Sequence, residues 1–186
     1  MKKSILLGFL LTCQLANATV NEHLDYEYYT ASAVPNQSLA SVLHAVTPIH
    51  ENGSTFFGHT HWEIHWHYSW NHNHHGKCRM TGWNIDLAAV IKLPQITNTT
   101  AQQQAQFDKF IAALRVHELG HYEHGKQAAQ ELDQAILAIP EMDNCQDIGA
   151  AADEAGHRIL RKYSDIDVQY DAVTSHGRTQ GAVLSN

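Results

Sequence analysis

His117, Glu118 and His121 form an HExxH sequence in the second half of the chain. On a helix, two imidazoles four residues apart lie on the same side about one turn apart, so both can bind one zinc ion. Glu118 stands beside them, where its carboxylate could take a proton from a metal-bound water. The pattern predicts a zinc hydrolase centre with one catalytic ion, provided that the chain supplies a helix and a third ligand.

The flanking residues predict the helix that this centre requires. A helical pattern begins with Thr99 or Thr100 as the N-cap and runs to about Ala138, and Pro140 closes it. Its apolar stripe consists of Phe107, Phe110, Ile111 and Leu114. Helical spacing continues that stripe to both histidines of the motif, which we therefore expect to face the core.

The residues near the motif leave the third ligand open. Gln127 stands where the extended metzincin motif has its third histidine. His124 lies two turns from His117, roughly 10 Å along the helix axis, which is too far for easy convergence on one ion. Glu154 lies on the next predicted helix, from about 144 to 163, but off its apolar stripe.

A polar segment after that helix offers two further candidates. It runs from Tyr170 to Gly177 and has no strong pattern of its own. Asp171 and His176 within it are both suitable zinc ligands.

A histidine-rich β-hairpin is predicted before the long helix. Its first strand runs from Thr60 to Trp70, and its second strand ends at Pro94. Alternation along the first strand places Trp62, Ile64, Trp66, Tyr68 and Trp70 on one face, and His61, Glu63, His65 and His67 on the other.

The hairpin histidines have three interpretations. An auxiliary site of low affinity could gather zinc, copper or nickel on His61, His65, His67, His72, His74 and His75. Alternatively, the face is merely exposed and changes its charge near pH 6. In the third interpretation, His65 or His67 lies beneath the active site, which depends on the face of the sheet that meets the helix.

The N-terminus predicts export. Residues 1–18 have a basic start at Lys2 and Lys3, an apolar stretch and a small-residue cleavage pattern that ends at Ala18, as in a signal peptide. Cys13 gives a weaker lipoprotein interpretation. Residues 19–186 then form one domain, which we expect to be periplasmic or secreted, and no later apolar run is long enough to span a membrane.

Charge and cysteine content agree with this interpretation. Without the two signal lysines, 10 of the 12 basic side chains remain against 19 acidic ones, a formal charge of −9, which argues against nucleic-acid binding. Cys78 and Cys145 would form one disulfide in an oxidising compartment, with a pair of metal thiolates as the alternative.

Two shorter elements complete the predicted fold. Residues 22–30 alternate as a half-buried strand, and Ser38 caps a short helix. The predicted class is α+β, with a small antiparallel sheet that includes the histidine-rich hairpin and packs on the long HExxH helix and the following helix.

The chain resembles the predicted secreted zinc-dependent proteases of bacteria, a domain family of otherwise unknown function. The resemblance rests on Phe57-Gly58-His59-Thr60 before a Trp-bearing strand, the HExxH helix from Leu114, the two cysteines, and a closing signature from Tyr170 to Ala182. It implies a zincin-like peptidase in which His176 is the favoured third ligand.

The roles of the remaining site residues follow from that interpretation. Glu118 is the general base, Asp171 could orient a zinc-bound imidazole, and Tyr170, His157 or His124 could donate to the oxyanion. A peptide or protein substrate would lie along the strand from Thr60 to Trp70. The rival function is a periplasmic module that binds metal or a partner and has no catalytic turnover.

Overall fold

The computed structural model describes residues 20–51 and 53–184, so the predicted signal peptide lies outside the described residues. The elements in chain order are β1 (Val20–Ser32), α1 (Leu39–Val46), β2 (His50–Glu51), β3 (Ser54–Thr55), β4 (His59–His72), β5 (Cys78–Thr97), α2 (Ala101–Leu137), α3 (Cys145–Thr174) and a 3-10 turn (Arg178–Gln180). The predicted α+β class is confirmed.

The main sheet has three strands in the order β1-β5-β4. β4 and β5 form the predicted antiparallel hairpin, from His59 opposite Lys92 to His72 opposite Cys78, with a shift of register between Ser69 and Trp70. β1 runs parallel to β5, with Val20 opposite Ile85. The sheet is therefore mixed and not, as the sequence predicts, antiparallel throughout. The intervening α1, β2, β3 and β4 make the connection that allows β5 to run beside β1 in the same direction as β1.

The aromatic face of β4 meets the helices. A Cβ at Gly125 of α2 would lie 3.0 Å from the Trp62 ring, and a Cβ at Gly156 of α3 would lie 2.5 Å from the Trp66 ring. Because glycine has no side chain, both rings approach the helix backbones closely. His65 and His67 are exposed on the opposite face, which excludes the interpretation that places them beneath the HExxH helix.

The N-terminus and the buried face of α2 are those that its sequence predicts. Thr100 and Gln103 form a capping box at its N-terminus. The buried side chains of the helix include Phe107, Phe110, Leu114, His117 and His121. The predicted inward orientation of the two histidines is confirmed.

α3 extends beyond its predicted end. Asn144 caps it near the predicted start, but the helix continues past the predicted last residue, Tyr163, to Thr174. Its later turns lack an apolar stripe, because Asp167 and Asp171 face the histidines of α2. A stripe of apolar residues therefore underestimates the length of a helix whose inward face is polar.

The predicted disulfide is present and links the hairpin to α3. Cys78 begins β5 and Cys145 begins α3, and their Cα atoms are 5.1 Å apart. The core between sheet and helices contains Leu43, Ile85, Leu87, Ile91, Leu93, Leu132, Ile136, Ile148 and Ile159. Among the described helices, none combines the length and apolar character that crossing a membrane requires.

Candidate metal centre

Two histidines of α2 converge on one carboxylate of α3. His117 and His121 are only 2 % and 8 % exposed. The Nε2 atom of His117 lies 3.1 Å from Asp171 Oδ1, and the Nε2 atom of His121 lies 3.2 Å from the same oxygen. The ligand atoms of all three side chains lie within 4.8 Å of one another, so the three residues form a candidate metal site.

The other nitrogen of each imidazole meets a hydrogen-bond acceptor. His117 Nδ1 lies 3.0 Å from Gln180 Oε1, and His121 Nδ1 lies 2.9 Å from Asp167 Oδ1. The amide of Gln180 is oriented by its nitrogen, which donates to the Tyr170 hydroxyl at 2.9 Å. Both Nδ1 atoms therefore carry a proton, which leaves both Nε2 atoms to bind a metal or a second proton.

Glu118 lies beside these histidines and is 3 % exposed. The Thr60 hydroxyl donates to its Oε2 at 2.8 Å. Burial raises the pKa of the Glu118 carboxyl above its ordinary value, and the hydrogen bond from Thr60 lowers it only in part. A Cβ at Gly58 would overlap Glu118 Oε1, so a glycine is needed where the loop before β4 passes the carboxylate.

Tyr170 packs α3 closely against the HExxH segment. Its ring stacks on His117 with centroids 5.0 Å apart, and its hydroxyl lies 3.4 Å from the backbone carbonyl oxygen of His117. A Cβ at Gly120 would overlap the Tyr170 hydroxyl. The glycine within the HExxH motif therefore permits the close approach of the two helices.

A sharp corner ends α3 and returns the chain to the site. Ser175, His176 and Gly177 have φ angles of 50°, 51° and 79°, a left-handed run that non-glycine residues rarely adopt. The corner places His176 Nδ1 3.3 Å from Asp171 Oδ1. A Cβ at Gly177 would lie 3.0 Å from His117 Cβ, so this glycine also lets the chain pack on the first histidine.

In the metal-free site, the pKa of His121 is raised and the pKa of Asp171 is lowered. Burial alone would lower the pKa of His121, but hydrogen bonds to Asp167 and Asp171 raise it to about 10. Burial alone would raise the pKa of Asp171, but hydrogen bonds from His117 and His121 hold it well below its usual range. A metal ion would therefore have to displace a proton from His121, so its affinity would fall with decreasing pH.

The predicted site residues do not all meet. Asp171 lies between the two motif histidines, and His176 contacts Asp171 from the side of the cleft. His124 instead donates from Nδ1 to Asp167 at 2.7 Å, one turn beyond His121.

The remaining predicted residues do not line the cleft beside Glu118. Glu154 is exposed on α3, and His157 is also exposed with its ring 5.6 Å from that of Trp66. Tyr170 is beneath the α2 backbone and does not line the cleft.

Sequence reasoning missed Asp167, and gave Thr60 and Gln180 no role. Asp167 and Asp171 have the same four-residue spacing as His117 and His121, and this matching pair was the available signal. The signal was lost because the predicted helix stopped before Asp167.

The site opens into a cleft of about 680 Å³. Its apolar wall includes Phe56, Phe57, Phe110 and Leu114, and the rings of Phe57 and Phe110 meet edge to face at 5.9 Å. Arg178 contributes a cationic side chain to the lining. The cleft could therefore accept a molecule with both apolar and polar groups next to Glu118.

The hairpin histidines do not form a comparable cluster. Within the described ranges, no three of them bring their ligand atoms within 4.8 Å of one another. His72 Nε2 lies 3.5 Å from Cys145 Sγ, but that sulfur belongs to the disulfide. The predicted auxiliary site on the hairpin stays a prediction.

Comparison with known proteins identifies the family of this chain. The sequence model of a family described as "Bacterial protein of unknown function (DUF922)" matches residues 26–177, most of the chain. No curated protein matches, and no solved structure matches. The matched region contains both motif histidines, Glu118, Asp167 and Asp171.

Proposed function

We propose that this chain, which belongs to the DUF922 family of bacterial proteins of unknown function, is a zinc-dependent peptidase. One observation carries the proposal. The Nδ1 atoms of His117 and His121 are occupied by acceptors, whereas their Nε2 atoms meet at Asp171 beside the buried Glu118. Zinc sites of hydrolases combine such oriented imidazoles with a neighbouring base.

The donor set suits zinc. With zinc–nitrogen bonds of about 2.0–2.1 Å and tetrahedral angles, adjacent ligand atoms lie about 3.3 Å apart. The separations of 3.1 and 3.2 Å from the two Nε2 atoms to Asp171 Oδ1 are close to that value. Two imidazoles and one carboxylate would hold the ion and leave a fourth position for water or substrate.

His176 is the alternative third ligand. Its Nδ1 lies 3.3 Å from Asp171 Oδ1, but it does not belong to the compact group of His117, His121 and Asp171. Geometry therefore favours Asp171, with His176 placed to hydrogen-bond to it.

Glu118 is the proposed general base. Zinc, when bound, would supply an acidified water and would polarise the substrate carbonyl. Glu118 would accept the water proton and pass it to the leaving amine, while the Thr60 hydroxyl holds Oε2 and fixes the carboxylate direction. Burial favours this role, because it raises the pKa of Glu118 above its ordinary value and so makes the carboxylate a stronger base.

An extended peptide is the proposed substrate. β4 is an edge strand, and within residues 20–51 and 53–184 no strand pairs with its outer edge. Gly58, His59 and Thr60, at the start of this strand, line the cleft next to Glu118. A substrate strand could therefore pair with β4 while one of its side chains enters the apolar part of the cleft.

The proposed location is the periplasm or the extracellular space. The signal-peptide pattern of residues 1–18 and the Cys78–Cys145 disulfide both support it. Cleavage near Ala18 would release the mature chain.

The decisive experiment compares the mature protein with Glu118→Gln. Both proteins should bind one zinc ion, measured by metal analysis after dialysis, and only the wild type should cleave a broad peptide library or casein. The amide keeps the size of the carboxylate but cannot accept the proton. If both bind one zinc and neither cleaves any peptide, the chain is a metal-binding module and the peptidase proposal is wrong.

A second pair of variants identifies the third ligand. Asp171→Ala should abolish tight zinc binding, whereas His176→Ala should weaken it only moderately. The reverse result would assign His176 as the ligand. Replacement of the six auxiliary hairpin histidines by alanine should leave zinc stoichiometry unchanged, and a loss of bound metal would support the auxiliary site.

A further inference from the structure

We infer that Asp167 is a positioning residue that fixes His121 so that its Nε2 faces the metal ligands. The inference rests on the proposed function, because it assigns a role within the proposed zinc site. The sequence predicts no role for Asp167. Its carboxylate contacts Nδ1 of His121, and the two Nε2 atoms that meet at Asp171 are contacted by Asp171 alone of the two carboxylates.

Three donors hold the Asp167 carboxylate. Its Oδ1 accepts hydrogen bonds from Nδ1 of His121 at 2.9 Å and Nδ1 of His124 at 2.7 Å. Its Oδ2 accepts a hydrogen bond from the indole nitrogen of Trp62 at 2.9 Å. These donors come from α2 and β4, so the carboxylate of α3 is fixed by two other elements.

This arrangement determines which nitrogen of His121 can bind an ion. Neutral imidazole carries one proton, and Asp167 requires that proton on Nδ1. The lone pair is then on Nε2, 3.2 Å from Asp171 Oδ1. Without the carboxylate, the ring could rotate or move its proton to Nε2, and either change would remove a ligand from the site.

The two motif histidines are held differently. His117 donates to the neutral amide of Gln180, whereas His121 donates to a carboxylate. A charged acceptor forms the stronger hydrogen bond and makes the imidazole more electron-rich. We therefore expect the affinity for zinc to depend strongly on Asp167.

A competing role for Asp167 is direct coordination. Asp167, His121 and His124 each have a ligand atom within 4.8 Å of the other two, so this group could hold a second ion. Trp62 already occupies Oδ2 and both imidazoles direct protons at Oδ1, which favours the positioning role. The number of ions bound separates the two roles.

The test compares Asp167→Asn with a matched control, Asp153→Asn. Asp153 accepts a hydrogen bond from the Trp66 indole at 3.0 Å, as Asp167 does from Trp62, but it contacts no metal-site histidine. In chelator competition, Asp167→Asn should bind zinc about 10- to 100-fold more weakly than the wild type does. The wild-type chain should bind one ion. Asp153→Asn should change the affinity less than about twofold. Equal affinity of Asp167→Asn and wild type, or two ions in the wild type with one lost in Asp167→Asn, would overturn the inference.

A double-mutant cycle shows whether Asp167 acts through His121. In a His121→Ala background, Asp167→Asn should change the residual zinc affinity less than about twofold, because the oriented ring is absent. A full additional loss would mean that Asp167 acts on the site by another route, and the positioning role would be wrong.

A measurement without metal keeps the inference separate from the proposed function. Proton NMR of the metal-free chain should show a slowly exchanging His121 Nδ1 proton, identified by its loss in His121→Ala. This resonance should also disappear in Asp167→Ala, which removes the acceptor, and persist in Asp153→Ala. Its persistence in Asp167→Ala would refute the inference even if the wild type bound no zinc, a result that would itself refute only the peptidase proposal.

Discussion

Replacement of Gly120 by alanine tests the close packing of the two helices that carry the site. A Cβ at this position would overlap the Tyr170 hydroxyl and lie 2.5 Å from Cζ and 2.8 Å from Cε1 of the ring. The ring has little freedom to move, because it stacks on His117 and its hydroxyl accepts a hydrogen bond from Gln180. We therefore expect the substitution to be destabilising.

Two opposing effects give its magnitude. Alanine in a helix interior is favoured over glycine by about 1 kcal/mol. Overpacking of a well-packed core costs about 1–3 kcal/mol, and the upper part of that range applies here because the overlap is with a fixed ring. The net loss in unfolding free energy is about 1–2 kcal/mol, equivalent to a fall in Tm of roughly 2 to 8 °C for a domain of this size.

The assay is urea and thermal unfolding of the metal-free protein, followed by circular dichroism. Gly149→Ala is the control, because its Cβ would lie 3.3 Å from the Tyr68 hydroxyl, which needs to shift by only a few tenths of an ångström, and it should be nearly neutral or slightly stabilising. In a Tyr170→Ala background, Gly120→Ala should become stabilising by about 1 kcal/mol. Unchanged or increased stability of Gly120→Ala in the wild-type background would refute the reasoning.

Three further predictions concern proton binding, the disulfide and the base. The pKa of His121 is raised from 6.5 to about 10, so its stabilisation is complete below pH 6.5 and is lost as pH rises toward 10. Metal-free protein should lose about 1.4 kcal/mol of unfolding free energy per pH unit in this window, measured by urea titration, and His121→Ala should remove the slope. Because Cys78 and Cys145 are 67 residues apart, reduction should lower the unfolding free energy by about 4 kcal/mol, checked by unfolding with and without reductant. Thr60→Val removes the hydrogen bond that lowers the pKa of Glu118, so the acid limb of the pH profile of peptide hydrolysis should move to higher pH.

Each of these predictions has an outcome that would contradict it. A flat dependence of stability between pH 6.5 and 9 would show that His121 is not charged in the metal-free protein. Equal stability of reduced and oxidised protein would show that the cross-link does not restrict the unfolded chain. An unchanged acid limb in Thr60→Val would show that Thr60 does not control proton binding by Glu118.

The sequence predicts elements whose signals are local. Ser38 is predicted as a cap from its own neighbourhood, and Thr99 or Thr100 likewise, of which Thr100 is the cap. The alternation along β4 separates its aromatic and histidine faces. The four-residue spacing of His117 and His121 likewise predicts a shared direction on one helix. These features depend on residues within a few positions of one another.

The sequence does not reveal contacts that depend on distant partners. The parallel pairing of β1 with β5 joins Val20 to Ile85, and nothing near either residue indicates the direction. Asp167 lies beyond the predicted end of α3, so the sequence assigns it no direction. Asp171 is a candidate ligand by its residue type, but its position opposite the histidines of α2 becomes visible only in the fold.

The polar contact between α2 and the last turns of α3 affects how the proposed zinc ion could leave the site. The start of α3 is tied covalently through Cys145, whereas its end meets α2 mainly through Tyr170, Asp167 and Asp171. Segments that bury little apolar surface open at lower free energy than the core. The end of α3 can therefore separate while the histidines of α2 remain on an intact helix. If release of the proposed ion requires this segment to open, hydrogen exchange of the backbone amides near Asp171 sets the upper limit on the rate of zinc loss.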